Sequence, residues 1–273
     1  MDSGYNAKHN VQKMRFIRTV STILAIFILT WLHLSARGQY TIQIKTPTVE
    51  EESEYIWHNI CMIGFFDQHA YKVAWPNHTI IAELLDDARN QRLNDSSYNT
   101  LINVMRQSVY RKEDYAKGYG KVSAILSFLD SALDVMHRLS SKWDYNPRPG
   151  YTILLTLYGP GGSYNDETGQ ITLFTTVYGT FKGYNNPENT LIHELFHIMT
   201  EQPVVQKYNL THQQKERLVD LFVKTWFATR LPDYRIQGFG DSRMDEWFNT
   251  REKFTDLPAS MHGFLKTIRA EKQ

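Results

Sequence analysis

The stretch ENTLIHELFHIMTEQ, residues 188–202, carries two histidines four positions apart, with a glutamate directly after the first. Apolar residues recur in it at the spacing of an amphipathic helix. The pattern therefore predicts a helix that buries most of its surface through Leu191, Ile192, Leu195, Phe196, Ile198 and Met199. Asn186 is expected to cap this helix, Pro187 to begin it, and Pro203 to follow its end. The remaining polar strip carries His193, Glu194 and His197.

This polar strip suits a catalytic metal ion. His193 and His197 lie one turn apart on one helix face, so both rings can reach one ion. Glu194 is offset from them by about 100 degrees around the helix axis, so it can face a water without being a ligand. A catalytic zinc site has three protein ligands and an open position for water, which becomes acidic near neutral pH. A carboxylate beside that water can accept its proton and pass it to a leaving nitrogen.

A third ligand is needed, and the downstream sequence offers one. A metzincin pattern would require glycine at 200 and histidine at 203, where this chain has Thr200 and Pro203. The stretch KERLVDLF, residues 215–222, places Glu216 after an 18-residue gap from His197. From the residues alone, three competing third ligands stay open: Glu201, His212 and Asp241.

Glu216 is followed four positions later by Asp220. The motif H-E-x-x-H, then E-x-x-x-D, resembles the gluzincin zinc metallopeptidases, the thermolysin-like and aminopeptidase-like group. The resemblance covers residues 170 to about 225. It implies that His193, His197 and Glu216 bind one Zn²⁺ ion and that Glu194 is general base and then acid. It also implies that Asp220 orients a ligand histidine from outside the site.

The resemblance implies two further roles. In position, the segment GQITLF, residues 169–174, matches the strand that pairs with an extended substrate in this group, so Ile171, Thr172 and Leu173 are expected to bind substrate. Tyr208 lies between the two metal helices and is expected to stabilise the oxyanion. Tyr234 and His262 are alternatives for that role.

The rest of the chain predicts an α+β, helix-rich fold with a small sheet. Residues 40–46, 151–159 and 170–179 have strand character, and the last two form a hairpin or two adjacent strands around a turn cluster at 160–169. Helical patterns dominate residues 47–143, with a break expected near Gly118 and Gly120. They return after Thr211, which begins a capping-box sequence, and continue towards the C-terminus.

The N-terminal segment is typical of a secretory signal peptide. Arg15 and Arg18 precede an uncharged run at 19–34, and small residues at 36 and 38 favour cleavage after Gly38. Residues 1–38 are therefore expected to be a signal peptide, with Met14 as an alternative start. The mature chain would be secreted or periplasmic. An uncleaved membrane anchor is the alternative. Cys61, the single cysteine, is expected to be buried.

These patterns predict a helical part at 39–145 and a zincin-like catalytic part at 146–273, joined in one compact domain. With a net charge of +1 and no basic run, no nucleic-acid partner is expected. The expected function is an exported zinc metallopeptidase acting on a peptide or protein. Two alternatives stay open: a helical binding module with a structural or vestigial zinc site, and a zinc hydrolase of non-peptide amides.

Overall fold

The computed structural model describes residues 40–182 and 186–270, which form one compact unit. The segment expected to be a signal peptide lies outside the described residues. The fold is α+β and rich in helix, with one small mixed sheet, as the sequence predicts. Among the described helices, none combines the length and the apolar character that crossing a bilayer requires.

The sheet has four strands in the order β1-β2-β4-β3. They are β1 Thr41–Lys45, β2 Gly150–Thr156, β3 Ser163–Asn165 and β4 Gln170–Phe174. β2 pairs in parallel with β1 and with β4, while β3 is antiparallel to β4. Of the two arrangements expected for the second and third strand segments, the hairpin is wrong and the pair of adjacent strands is confirmed, since β2 and β4 are parallel neighbours. The turn cluster between them contains β3, which forms the hairpin with β4 instead.

The helices before β2 make up most of residues 49–140. They are α1 Val49–Cys61, α2 Ile63–Gln68, α3 Thr79–Arg89, α4 Asp95–Val104, α5 Ala116–Ala124 and α6 Leu126–Ser140. A π-helical turn at Met105–Val109 and a 3₁₀ turn at Lys112–Tyr115 join α4 to α5.

The helices after β4 carry the candidate site and close the fold. They are α7 Glu188–Thr200, α8 His212–Phe227, α9 Met244–Trp247, α10 Arg251–Thr255 and α11 Leu257–Ala270. A π-helical segment at Glu201–Gln206 follows α7.

The helix break expected near Gly118 and Gly120 is wrong. The chain leaves helical geometry at Tyr110 and Arg111, and both glycines lie within α5. Gly118 is needed for close packing, because a Cβ there would lie 2.6 Å from the Thr175 hydroxyl oxygen. The glycine therefore allows α5 to approach the chain just after β4, and it does not end a helix.

Two hydrophobic clusters hold the described residues together. The larger one includes Leu133 of α6, Ile153 of β2 and Phe196 of α7. It therefore joins the later helices of the 39–145 part to the 146–273 part in one core. The smaller cluster lies among α1, α3 and α4 and includes Ile56. Cys61, at the end of α1, is exposed, so the expectation that it is buried is wrong.

Candidate metal centre

Helix α7 presents the polar strip that the sequence predicts, and all six of its predicted apolar residues are buried. The helix begins at Glu188, with Pro187 rather than Asn186 at the cap, and Pro187 has no side-chain group to form a capping hydrogen bond. After Thr200 the backbone continues as a π-helical segment through Pro203. Proline has no N–H to donate to the regular α-helical hydrogen bonds, and the wider π-helical turn accommodates the missing bond.

His193, His197 and Glu216 converge on one point. The two Nε2 atoms lie 3.0 Å apart. Glu216 Oε2 is 3.2 Å from Nε2 of His193, and its Oε1 is 3.4 Å from Nε2 of His197. Ligand atoms placed tetrahedrally about 2.0–2.1 Å from a zinc ion would be separated by about 3.3 Å. The three side chains therefore fit one metal ion, and they form a group that could hold one.

The competing third ligands have other roles in the structure. Glu201 accepts a 2.6 Å hydrogen bond from the Tyr164 hydroxyl. Asp241 forms an ion pair with Arg243. His212 is half exposed, and its Nδ1 lies 3.7 Å from Glu216 Oε1. Among the described residues, the metal-capable group therefore consists of the two histidines and Glu216.

The first turns of helix α8 place Glu216 at the site. Thr211 caps α8 and forms the predicted capping box with Gln214, so Glu216 lies in the first turns. Along α7, His197 is later than His193, whereas along α8 Glu216 is earlier than Asp220. His197 lies near Glu216, and His193 Nδ1 lies 3.7 Å from Asp220 Oδ1. The later histidine of α7 thus pairs with the earlier acid of α8, and the earlier histidine with the later acid.

Asp220 supports His193 through a third residue. The Tyr234 hydroxyl donates a 2.7 Å hydrogen bond to Asp220 Oδ1 and lies 2.7 Å from His193 Nδ1. Direct contact between Asp220 and His193 is longer, at 3.7 Å. Asp220, which the resemblance implies orients a ligand histidine, thus reaches His193 through the Tyr234 hydroxyl. Tyr234 was an alternative oxyanion stabiliser, but its hydroxyl binds the outer nitrogen of His193.

Gln237 is a residue that the motif did not predict. Its backbone N–H donates a 2.6 Å hydrogen bond to Asp220 Oδ2, and its side-chain Nε2 donates to Glu216 Oε2 at 2.9 Å. One loop residue therefore fixes both carboxylates of α8. The only sequence signal was the position of Gln237 in a glycine-containing loop after α8, which does not specify such a contact.

The protonation states of His197 and Glu216 suit metal ligands. Burial lowers the pKa of His197 to about 4. Burial raises the pKa of Glu216, but hydrogen bonds from His193 and His197 outweigh it, and the net shift is downward. His197 is thus neutral and Glu216 ionised at neutral pH, which are the forms that bind metal ions. Burial lowers the pKa of His193, whereas the carboxylates around it, with Glu216 first, raise it overall.

Glu194 lies beside the ligands without joining them. It is buried, and burial raises the pKa of its carboxyl to about 7. Gly162 lies directly against it, because a Cβ there would be 2.6 Å from Glu194 Oε1 and 2.5 Å from Thr190 Cγ2. A carboxyl with a pKa near neutrality in this position can take up and release a proton.

A cavity of about 550 Å³ opens over the candidate centre. Its wall includes His193, Glu194, His197 and Glu216, together with Ser163 and Tyr164 of β3. The Tyr164 ring stacks on His197, with centroids 4.8 Å apart. The edge strand at the cavity is thus β3.

The structure does not bring Ile171, Thr172 and Leu173, which are expected to bind substrate, to the wall of the cavity. These residues lie in β4, which has β2 on one side and β3 on the other, and all three side chains are buried. Ile171 and Thr172 are paired with β2 on one side and with β3 on the other, so an extended peptide cannot pair with them there. The strand that could receive a peptide is β3.

Tyr208 and His262 are not among the residues that line the cavity. Tyr208 packs partly buried against the larger core, with Lys207 over its ring. Besides the two candidate ligand histidines, the side chains with exchangeable protons that line the cavity are Tyr71, Ser163, Tyr164, His212, Lys215 and Gln237. The structure therefore does not bring Tyr208 to the place where the resemblance implied an oxyanion stabiliser.

The comparisons with known proteins do not name a relative. No family model, curated protein or solved structure matches this chain. The assignment of a function therefore depends on the geometry of the site itself.

Proposed function

We propose that this protein is a zinc metallopeptidase of the gluzincin type, acting on a peptide or protein substrate. The observation that carries the proposal is the convergence of His193, His197 and Glu216 beside a buried Glu194. A purely structural site has no use for an unligated carboxyl of raised pKa next to the ligands. Two imidazoles and one carboxylate form one of the ligand sets found in catalytic zinc sites, and the cavity leaves room for water and substrate.

Each of these residues would have a separate role in the reaction. His193, His197 and Glu216 would hold the ion, which when bound supplies the Lewis acidity that acidifies water and polarises a carbonyl. Glu194 would accept the proton of the attacking water and deliver it to the leaving amide nitrogen. Tyr234 and Asp220 would keep a proton on Nδ1 of His193, which would leave the Nε2 lone pair available to bind an ion.

The edge strand β3 supports a peptide as the substrate. β3 pairs with β4 on one side, and its residues Ser163 and Tyr164 line the cavity. An edge strand offers backbone donors and acceptors to an extended chain, which binds as an additional strand. A peptide bound there would lie along the wall that carries Glu194.

The test compares the full chain with its Glu194→Gln variant. Zinc content is measured on both purified proteins, and hydrolysis is followed with fluorescently labelled denatured casein. We expect both proteins to hold zinc and only the wild type to cleave, because the amide is nearly isosteric but cannot take up the proton. Equal turnover in the variant would remove Glu194 as the base. A zinc-free wild type would remove the metallopeptidase assignment. The extracytoplasmic location stays a prediction from residues 14–38.

A further inference from the structure

A second, smaller cavity of about 280 Å³ adjoins the candidate centre. Four residues line both this cavity and the larger one: Gly162, His193, Glu194 and Gln237. The two cavities therefore meet at the proposed general base. Beyond these shared residues, the wall of the smaller cavity contains two cationic side chains, Lys182 and Arg235.

Lys182 brings a positive charge whose hydrogen-bond partners do not neutralise it. Its Nζ donates to the backbone carbonyl oxygens of Lys72 and Pro160, and both acceptors are uncharged. An ammonium group has three protons, so these two bonds leave one for another acceptor. The stem of Lys182 lies against Gly161, whose Cβ position would be 3.4 Å from the lysine Cδ.

The two acidic side chains in the same wall already have a hydrogen-bonding or a proposed catalytic role. Asp220 is fully buried and accepts hydrogen bonds from Tyr234 and from the backbone of Gln237. Glu194 is the proposed base at the junction of the two cavities. Arg235 is exposed at the cavity wall and carries the second positive charge there. The exposed charges of this cavity are therefore positive.

Asn189 gives an independent indication that a ligand binds here. It lines the smaller cavity and is 5% exposed, and its buried amide oxygen has no hydrogen-bond partner among residues 40–182 and 186–270. Leaving a buried polar atom unpaired costs about 1–3 kcal/mol, so such atoms are usually satisfied by a partner. A peptide group of a bound substrate offers both a donor and an acceptor to this amide.

The direction of β3 relates the smaller cavity to one end of the substrate. Gly161 and Gly162, which precede β3, line the smaller cavity, whereas Tyr164 and Asp166 line the larger one. Antiparallel pairing is the more stable of the two strand arrangements. A substrate that runs antiparallel to β3 places its C-terminal side opposite the start of that strand, at the smaller cavity.

We propose that the smaller cavity binds a carboxylate on the C-terminal side of the cleaved bond, through Lys182 and Arg235, with Asn189 holding the adjoining peptide group. The inference rests on the proposed peptidase function. Two groups of a peptide can supply this carboxylate: its free C-terminus, or the side chain of an Asp or Glu next to the cleaved bond. In both cases the preferred substrates are peptides with a negative charge just beyond that bond.

The test maps the cleavage sites of the zinc-loaded full chain in a proteome-derived peptide library by mass spectrometry. One half of the library has free C-termini and the other half has amidated C-termini. Amidation abolishes a preference for cleavage near the terminus but leaves a preference for internal Asp or Glu unchanged. The variants are Arg235→Glu and Lys182→Met, and the matched control is Arg138→Glu, which reverses an exposed charge on α6.

We expect the wild type and Arg138→Glu to show one of the two carboxylate preferences. Arg235→Glu and Lys182→Met should each weaken it by about 10-fold, the size of one charge-assisted hydrogen bond. Binding of the identified peptides to the Glu194→Gln chain, with and without Arg235→Glu, should show the same loss without any turnover. Cleavage without a carboxylate preference, or a preference that both variants retain, would overturn this inference alone. A wild type that cleaves nothing would overturn the proposed function and this inference with it.

Discussion

The hydroxyl of Tyr234 lies 2.7 Å from Nδ1 of His193. The same hydroxyl donates its one proton to Asp220, so His193 carries a proton on Nδ1 and donates it to the tyrosine oxygen. This fixes the tautomer of His193 and leaves Nε2 for a metal ion. A loop after α8 thus decides which nitrogen of a histidine on α7 is able to bind a metal ion.

Replacement of Tyr234 by phenylalanine should weaken zinc binding by about 10- to 100-fold, as losses of outer hydrogen-bond partners usually do. The variant removes the bridge and keeps the ring. Zinc affinity is measured by competition with a chromogenic chelator. Tyr208→Phe is the matched control and should leave the affinity unchanged, because Tyr208 is not in the cavity wall. Unchanged affinity in Tyr234→Phe would show that the bridge does not support the site.

Loss of a ligand should abolish stoichiometric zinc. His197→Ala and Glu216→Ala each leave two ligands, which rarely suffice to hold the ion. Glu201→Ala is the matched control, since Glu201 lines the cavity but its carboxylate accepts from Tyr164. Metal content by plasma mass spectrometry, with circular dichroism to check folding, separates the outcomes. Full zinc occupancy in folded Glu216→Ala would exclude Glu216 as the third ligand.

Gly162→Ala should lower turnover by about 10- to 100-fold while zinc content changes little. The new methyl group would lie 2.6 Å from Glu194 Oε1, so the carboxyl must move. A displacement of about 1 Å at a reacting group can cost that much in rate. Gly120→Ala provides the control, because no atom lies within 4 Å of its Cβ position. Casein hydrolysis at matched zinc content is the measurement, and wild-type turnover in Gly162→Ala would contradict the close contact.

Glu52, which does not line the cavity over the candidate site, should make the stability of the protein depend on pH. Its buried carboxyl accepts 3.0 Å hydrogen bonds from the Thr156 hydroxyl and from Leu157 N–H. Burial raises its pKa from 4.5 to about 7. The folded chain therefore holds this proton more tightly than the unfolded chain. The resulting stability is fully present below pH 4.5 and is lost as the pH rises through about 7.

Urea unfolding of the zinc-free chain at pH 5 and pH 8 measures this effect. From pH 5 to pH 8, the free energy of unfolding of the wild type should fall by about 2–3 kcal/mol more than that of Glu52→Gln, because the amide does not titrate. Glu54→Gln, at an exposed neighbouring position, should behave as the wild type. Equal pH dependence in all three proteins would show that the Glu52 carboxyl is ionised without cost.

The sequence alone determined the features that depend on local spacing. An α-helix returns to the same face every three to four residues, so the positions of His193 and His197 fixed which side chains share a strip and which are buried. The capping box at Thr211 likewise involves residues three apart, and the structure confirms it. The α+β composition followed from the same short-range patterns.

Only the tertiary structure decided how distant segments meet. Strand order depends on which backbone groups find each other after collapse, and the parallel pairing of β2 with β4 placed β3 at the cavity and buried Ile171, Thr172 and Leu173. The contacts of Tyr234 and Gln237 with Asp220 come from a loop whose path has no periodicity to read. Periodic patterns record a residue's near neighbours along the chain, whereas the packing of loops and sheet edges is set by the whole core.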